Sequence, residues 1–231
     1  MHNIELRLDA INAARAVTLT HTELHDSDLL VKTVLTQALG RPLVRPWAAL
    51  RRDGRTAVIA GYSAQDADAL RQRLAFASPA TQAAISDIFS APMPEFRVGQ
   101  SLRFTVRLTP TMNVTRRGER DAYLLAREAG RAGTREAVYS EYLSQRLRGA
   151  EVRVAVLDRF QLAKVTRPHR GKDAPETGVA GRFMPDATMS GVLVVADPET
   201  FARTLSEGVG RQRAYGCGML RLEAPRLAQA A

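Results

Sequence analysis

Twice along this chain the hydrophobic period switches in the same order, and that order leaves few folds open. In the first half, Ile4, Leu6 and Leu8 alternate with Glu5, Arg7 and Asp9, which predicts a half-buried strand over residues 3–11. Residues 12–26 read as a polar connection carrying His21 and His25. Ser27 or Asp28 can cap a helix with Leu30, Val34, Leu35, Ala38 and Leu39 on its apolar face, ending at Gly40 before Pro42. Residues 44–50 and 56–62 read as strands around Arg51-Arg52-Asp53-Gly54-Arg55, where Asp-Gly marks a tight hairpin. Residues 64–76 form a helix with Ala67, Leu70 and Leu74 inward, residues 80–89 a second helical piece, and residues 95–98 a closing strand.

The second half repeats the order. Leu102, Phe104, Val106 and Leu108 share one face of a strand, and residues 120–131 and 135–148 are helical. Strands follow at 152–157 and 161–165, then a loop over 167–185 rich in basic residues, Gly and Pro. A strand at 188–196, a helix at 198–205 with Pro198 in its first turn, and a last strand from Met219 complete it. The expected architecture is therefore α+β: two tandem ferredoxin-like (RRM-like) βαββαβ domains, residues 1–98 and residues 99–231. The repetition is one of topology, without residue-level self-similarity.

Between the last helix and last strand lies G-V-G-R-Q-R-A-Y-G-C-G, residues 208–218. Gly208, Gly210, Gly216 and Gly218 allow tight turns and close approach to a phosphate, and Arg211 and Arg213 bring charge to the same place. The stretch has neither the Walker lysine ending nor the Rossmann strand-glycine-helix order. A glycine-bulged hairpin with solvated arginines is the plainer reading of the loop taken alone.

Charge points the same way. The net charge is +9, and lysine occurs only at Lys32, Lys164 and Lys172, so the basic excess is nearly all arginine. The guanidinium fork suits bidentate contacts to phosphate and guanine. Positive charge collects at Arg116, Arg117 and Arg120 around Gly118, at Arg211 and Arg213, and at Arg167, Arg170, Lys172 and Arg182 beside His169. A weaker cluster, Arg51, Arg52 and Arg55, flanks the first hairpin. One such cluster is usually a solvated face; three in one half-chain predict a nucleic-acid surface. Tyr139, Tyr142, Leu143 and Leu147 have the spacing of a helix core, whereas Tyr215 follows the loop arginines and can stack on a base. A single cysteine, Cys217, excludes an internal disulfide and a thiolate zinc cluster. The four histidines have no metal-ligand spacing, so no metal and no other cofactor are expected. No apolar run nears the roughly 20 residues of a membrane span, and the N-terminus lacks signal-peptide order, which predicts a cytoplasmic protein without membrane partners.

The glycine-rich stretch with its sequel M-L-R-L resembles the terminal signature of the CRISPR repeat-processing endoribonucleases, in particular the CasE branch that serves the Cascade surveillance complex. A second block, F-T-V-R-L-T-P-T-M-N-V-T-R-R-G-E-R from Phe104 to Arg120, is similar to that branch's strand, Thr-Pro corner and basic turn. The resemblance implies a metal-independent endoribonuclease that cuts CRISPR repeat hairpins in precursor crRNA, keeps the 3′ hairpin, and joins a Cascade-like complex. Its RNA-binding residues would be Gly208, Gly210, Gly216, Gly218, Arg211, Arg213, Arg116, Arg117 and Arg120, with Arg167, Arg170 and Lys172 as a further cluster. In most such proteins a histidine on the first helix, often with a tyrosine nearby, supplies the acid or base. Here that helix, D-L-L-V-K-T-V-L-T-Q-A-L, has neither residue, and the family position falls near Val31 or Lys32. His25, His21 on the same face if their segment is helical, and Lys32 are the catalytic candidates. The remaining alternative is a hairpin-binding subunit that does not cut. An RNA-recognition-motif protein acting elsewhere is disfavoured, because the strands lack the aromatic pattern that stacks single-stranded bases.

Overall fold

The computed structural model describes residues 1–17, 27–116, 118–131, 133–166 and 181–223. These divide into two compact units, the first within Met1–Met93, Leu162–Met184 and Ala214–Gly216, the second within Pro94–Gln161, Pro185–Arg213 and Cys217–Ala231.

In the first unit, β1 (His2–Asp9) lies between β3 (Thr56–Ser63) and β4 (Ile85–Pro92), and β2 (Trp47–Asp53) edges β3, giving the order β2-β3-β1-β4. Both neighbours of β1 run antiparallel to it, with Leu6 opposite Ile59 on one side and Ile88 on the other. Ile4, Leu6 and Leu8 are buried as their alternation predicts. They pack with Val34, Leu35, Ala38 and Leu39 of α2 (Ser27–Leu39) and with Trp47 in one continuous core. Burying each such side chain stabilises the fold by about 1.5–3 kcal/mol. α2 turns Leu29 and Val31 fully inward and leaves Leu30 only partly buried, a small rotation from the expected face.

Three expectations for this half need correction. The connection over 12–26 opens with a helix, α1 (Ala10–Ala16), because Asp9 ends the strand and accepts a hydrogen bond from the Asn12 amide at 2.9 Å. Four alanines then favour continuing the helix. α3 (Ala67–Leu74) agrees with its expectation, but the next helical piece stops early. α4 (Pro79–Ala84) gives way to β4, and residues 95–98 form no strand. The physical reason for the helical misreading is a bulge opposite the Arg7–Leu8 step, where the pairing register skips Ser86. Ile85 pairs with Leu8 and Ile88 with Leu6, so two residues three apart point into the same core. In sequence that spacing imitates a helix.

The second unit repeats the topology. β5 (Ser101–Leu108) sits between β10 (Arg221–Glu223) and β9 (Gly181–Val195), with β8 (Ala150–Thr166) beyond, in the order β10-β5-β9-β8. Each sheet thus shows the 4-1-3-2 ferredoxin-like order, and the α+β expectation holds. Leu102, Phe104, Val106 and Leu108 are buried on one face of β5. β8 is one 17-residue strand where two short ones were expected, and β9 begins at Gly181, inside the expected loop. Before the helices comes a hairpin that periodicity did not reveal, β6 (Thr111–Val114) with β7 (Gly118–Asp121). α5 (Ala122–Glu128) therefore starts only at Ala122, capped by Asp121, and α6 (Arg135–Ser144) follows. α7 (Pro198–Glu207) is capped by Asp197 and buries Phe201 and Leu205 completely.

Candidate nucleic-acid interface

The β6–β7 hairpin carries the first arginine cluster. Arg116 stands in its turn, exposed, with φ at 65°. A left-handed backbone at a non-glycine residue costs about 1–2 kcal/mol, a strain that clusters at functional turns. Arg120, on β7 opposite Met112, pairs with Glu128, and Arg117 lies outside the described residues. What holds the hairpin is a buried polar knot at its base. The Asp121 carboxylate, with a side chain 6% exposed, accepts from Arg135 Nη1 at 2.7 Å and from the Tyr139 hydroxyl at 2.9 Å. The Arg135 guanidinium also lies over the Phe160 ring at 3.9 Å and the Tyr123 ring at 4.2 Å. Burial, with the Asp121 charge beside it, pushes the Tyr139 hydroxyl above the ordinary tyrosine value and keeps it a neutral donor.

The glycine loop is closed at its neck by backbone hydrogen bonds. Val209 N–H donates to Gly218 O at 2.8 Å, and Gly218 N–H donates to Arg107 O at 2.7 Å. Gly218 has φ at +77°, and a Cβ there would fall 2.3 Å from Val209 O. Backbone strain and a backbone clash then act together, so Gly218→Ala is expected to lower stability by about 3 kcal/mol or more. Thermal unfolding checks this; an unchanged Tm would contradict it. Arg211 Nη2 lies 2.8 Å from Glu119 Oε1, tying the loop to β7, and Arg213 Nη1 donates to Glu207 O at 2.7 Å. Cys217 is buried beside the Thr109 hydroxyl.

Residues 214–216 of the loop belong to the first unit. Trp47 Nε1 donates to Ala214 O at 3.2 Å, and a Cβ on Gly216 would meet the Trp47 ring at 2.7 Å. This seating presents Tyr215 to α2, where Lys32 Nζ stands 5.0 Å from the centre of the Tyr215 ring. Lys32 is the only cation in α2. A Lys–aromatic contact of this kind attracts the ammonium to the ring face and orients it. His21 and His25 lie outside the described residues, as do His169, Arg167, Arg170 and Lys172. In the N-terminal cluster, Arg55 Nε lies 2.5 Å from Asp9 Oδ2, so that charge is paired within the fold.

Sequence reasoning missed two arginines. A cavity of about 430 Å³ opens in the second unit, between β6, the exit of α6, the end of α7 and the glycine loop. Gly208, Gly210, Arg211 and Arg213 line it, and so do Arg146 and Arg148. The last two were hidden inside the expected helix over 135–148. α6 ends at Ser144, so both lie beyond it. Arg146 lies 3.6 Å above the centre of the Tyr142 ring and donates to Tyr142 O at 3.1 Å. Tyr139, Tyr142, Leu143 and Leu147 are core, as their spacing indicated.

Among the described residues no group of three or more His, Cys, Asp and Glu side chains could hold a metal ion, and no helix is long and apolar enough to cross a membrane. No curated protein sequence matches the chain significantly. Solved structures do. A CRISPR endoribonuclease Cse3 bound to a 19-nucleotide RNA is 20% identical with a TM-score of 0.66, the match covering 96% of this chain and all of that one. Thermus thermophilus Cse3, bound to an RNA representing a pre-cleavage complex, is 18% identical with a TM-score of 0.63 over 96% of this chain and 100% of its own. The CRISPR-associated protein Cas6e from Escherichia coli K-12 is 16% identical with a TM-score of 0.55, over 97% and 100%. At these identities the likeness is one of fold. The family model of the CRISPR-associated proteins matches residues 1–224. The chain therefore belongs to the CRISPR-associated protein family, the family whose CasE branch its glycine loop and arginine turn resemble.

Proposed function

We propose that this protein is an endoribonuclease that binds the repeat hairpin of CRISPR precursor RNA, cuts it without a metal ion, and keeps the 3′ hairpin within a Cascade-like complex. The observation that carries the reading is the meeting of Lys32 with Tyr215, which sets the lone cation of α2 against the glycine loop. Family membership and the RNA-bound Cse3 structures of like fold support the substrate class. In the proposed reaction the 2′-oxygen attacks the adjacent phosphorus and gives up its proton to a base. The P–O5′ bond breaks and an acid protonates the leaving oxygen, leaving a 2′,3′-cyclic phosphate and a 5′-hydroxyl. Lys32 would stabilise the phosphorane charge, with His25 or His21 as proton donor or acceptor. Arg116, Arg117, Arg120, Arg211 and Arg213 would hold the hairpin's phosphates, and Arg167, Arg170 and Lys172 would add to them.

Incubation of purified protein with a cognate repeat hairpin in excess EDTA tests this reading. Product ending in a 2′,3′-cyclic phosphate supports it, whereas cutting that EDTA stops overturns the metal-free assignment. The second reading, a hairpin-binding subunit that does not cut, is favoured by the absence of any histidine or tyrosine from α2. It predicts tight binding with intact RNA. On either reading, hairpin affinity should fall steeply with salt, and Arg116→Ala should reduce the slope of log Kd against log salt by about 1. A salt titration of both proteins measures it, and an unchanged slope would remove Arg116 from the interface.

A further inference from the structure

We propose that the cavity beside the glycine loop receives one phosphorylated ribonucleotide, its phosphate on Arg148 and Arg146 and its base or ribose against Thr111 and Asn113. The nucleotide is either one extruded from the bound RNA or a free mononucleotide; only the first source rests on the hairpin-binding reading above.

Size, charge and unmet hydrogen bonding lead to the same occupant. At about 430 Å³ the cavity falls within the roughly 300–1,000 Å³ of small-ligand sites. A regular A-form stem presents its phosphates along a continuous outer surface, and its paired bases have no group to send into a recess. A nucleotide turned out of the helix does.

Four arginines line the cavity against one carboxylate, that of Glu207. Arg211 is engaged by Glu119. Arg148 is exposed, and among the described residues no carboxylate lies within ion-pair distance of it or of Arg146. Arg146 spends one N–H on Tyr142 O and leaves the rest of its fork available. Such forks match the paired oxygens of a phosphate.

Thr111 supplies the third observation. It lines the cavity at 2% exposure, and its hydroxyl finds no hydrogen-bond partner among the described residues. Native structures rarely leave a buried hydroxyl unpaired unless a ligand or water completes it. Asn113 at the same wall adds an exposed carboxamide, whose donor–acceptor pair suits a base edge and exceeds what a bare phosphate needs.

The test has two arms. In the first, inorganic phosphate, AMP, GMP, CMP and UMP are titrated calorimetrically into the wild type and Arg148→Ala. At least one mononucleotide should bind about tenfold tighter than phosphate, and Arg148→Ala should cost about tenfold. In the second, a repeat hairpin with a fully paired stem competes with one carrying a single unpaired nucleotide. The unpaired nucleotide should improve binding about tenfold, Asn113→Ala should erase that gain, and Arg116→Ala should weaken both hairpins alike. Arg148 and Asn113 are exposed, so an unchanged Tm verifies folding of both variants. A gain in the first arm alone identifies a free nucleotide as the source, and in the second alone an RNA nucleotide. If no mononucleotide outbinds phosphate and the hairpins bind equally, the proposal is overturned. Should neither hairpin bind, the hairpin reading fails by itself and the mononucleotide arm decides the cavity.

Discussion

Lys32→Ala should lower single-turnover cleavage of the repeat hairpin by about 10²–10³-fold, a loss of about 2.7–4 kcal/mol of transition-state stabilisation. Hairpin affinity should stay within about threefold of the wild type. The asymmetry follows from where charge develops: the phosphorane gains negative charge that the ground-state phosphate lacks, and a cation held by the Tyr215 ring needs no reorganisation to meet it. Lys32→Arg keeps the charge and should restore part of the rate. Its larger, planar head cannot reproduce the same position over Tyr215. A control RNA with a 2′-deoxy sugar before the scissile phosphate should not be cut at all, because the nucleophile is gone. Were Lys32→Ala to cut at the wild-type rate while His25→Ala did not, Lys32 would be a structural residue and the histidine segment would carry the chemistry.

Asp121→Ala should be the most destabilising single change at the β6–β7 hairpin, by about 3–5 kcal/mol in denaturant unfolding. The Asp121 side chain is 6% exposed and Arg135 24%, so removing the carboxylate strands a partly buried guanidinium among Phe160, Tyr123 and Tyr139. The α5 cap is lost with it. Tyr139→Phe removes a neutral hydroxyl that donates to the same carboxylate and accepts from Arg135 Nη1, and should cost about 1–2 kcal/mol. Hairpin RNA affinity should fall in Asp121→Ala even where the protein remains folded, since the strands that carry Arg116 and Arg120 lose their anchor. A variant that unfolds at the wild-type denaturant midpoint would show that the knot contributes nothing.

Much of the fold was legible because it rests on short-range patterning. Alternation at Ile4–Leu8 and Leu102–Leu108, Asp-Gly at 53–54, and Pro198 behind Asp197 each act within a few residues. β4 was misread because its bulge is set by pairing with β1, some 80 residues away, and a bulged strand borrows the spacing of a helix. The β6–β7 hairpin was missed for a related reason. Its four-residue strands are too short and too polar to show a period, and they are fixed instead by Asp121 meeting Arg135 and Tyr139.

The candidate site divides along the same line. The glycine-rich stretch and the Phe104–Arg120 block are properties of the chain read in order, and they sufficed to indicate the family, although α2 lacks the family's histidine. Which cations share a surface is not such a property. Lys32 and Tyr215 are 183 positions apart in sequence, and Arg146 and Arg148 line one cavity with Arg213 only once the second unit has folded. By itself the sequence determined the βαββαβ order of the two halves and the glycine loop, though not the place of β4, because periodicity and backbone freedom are local. Only the tertiary structure decided that Lys32 faces Tyr215 and that the loop borders an arginine-lined cavity, because long-range contacts depend on how the cores close.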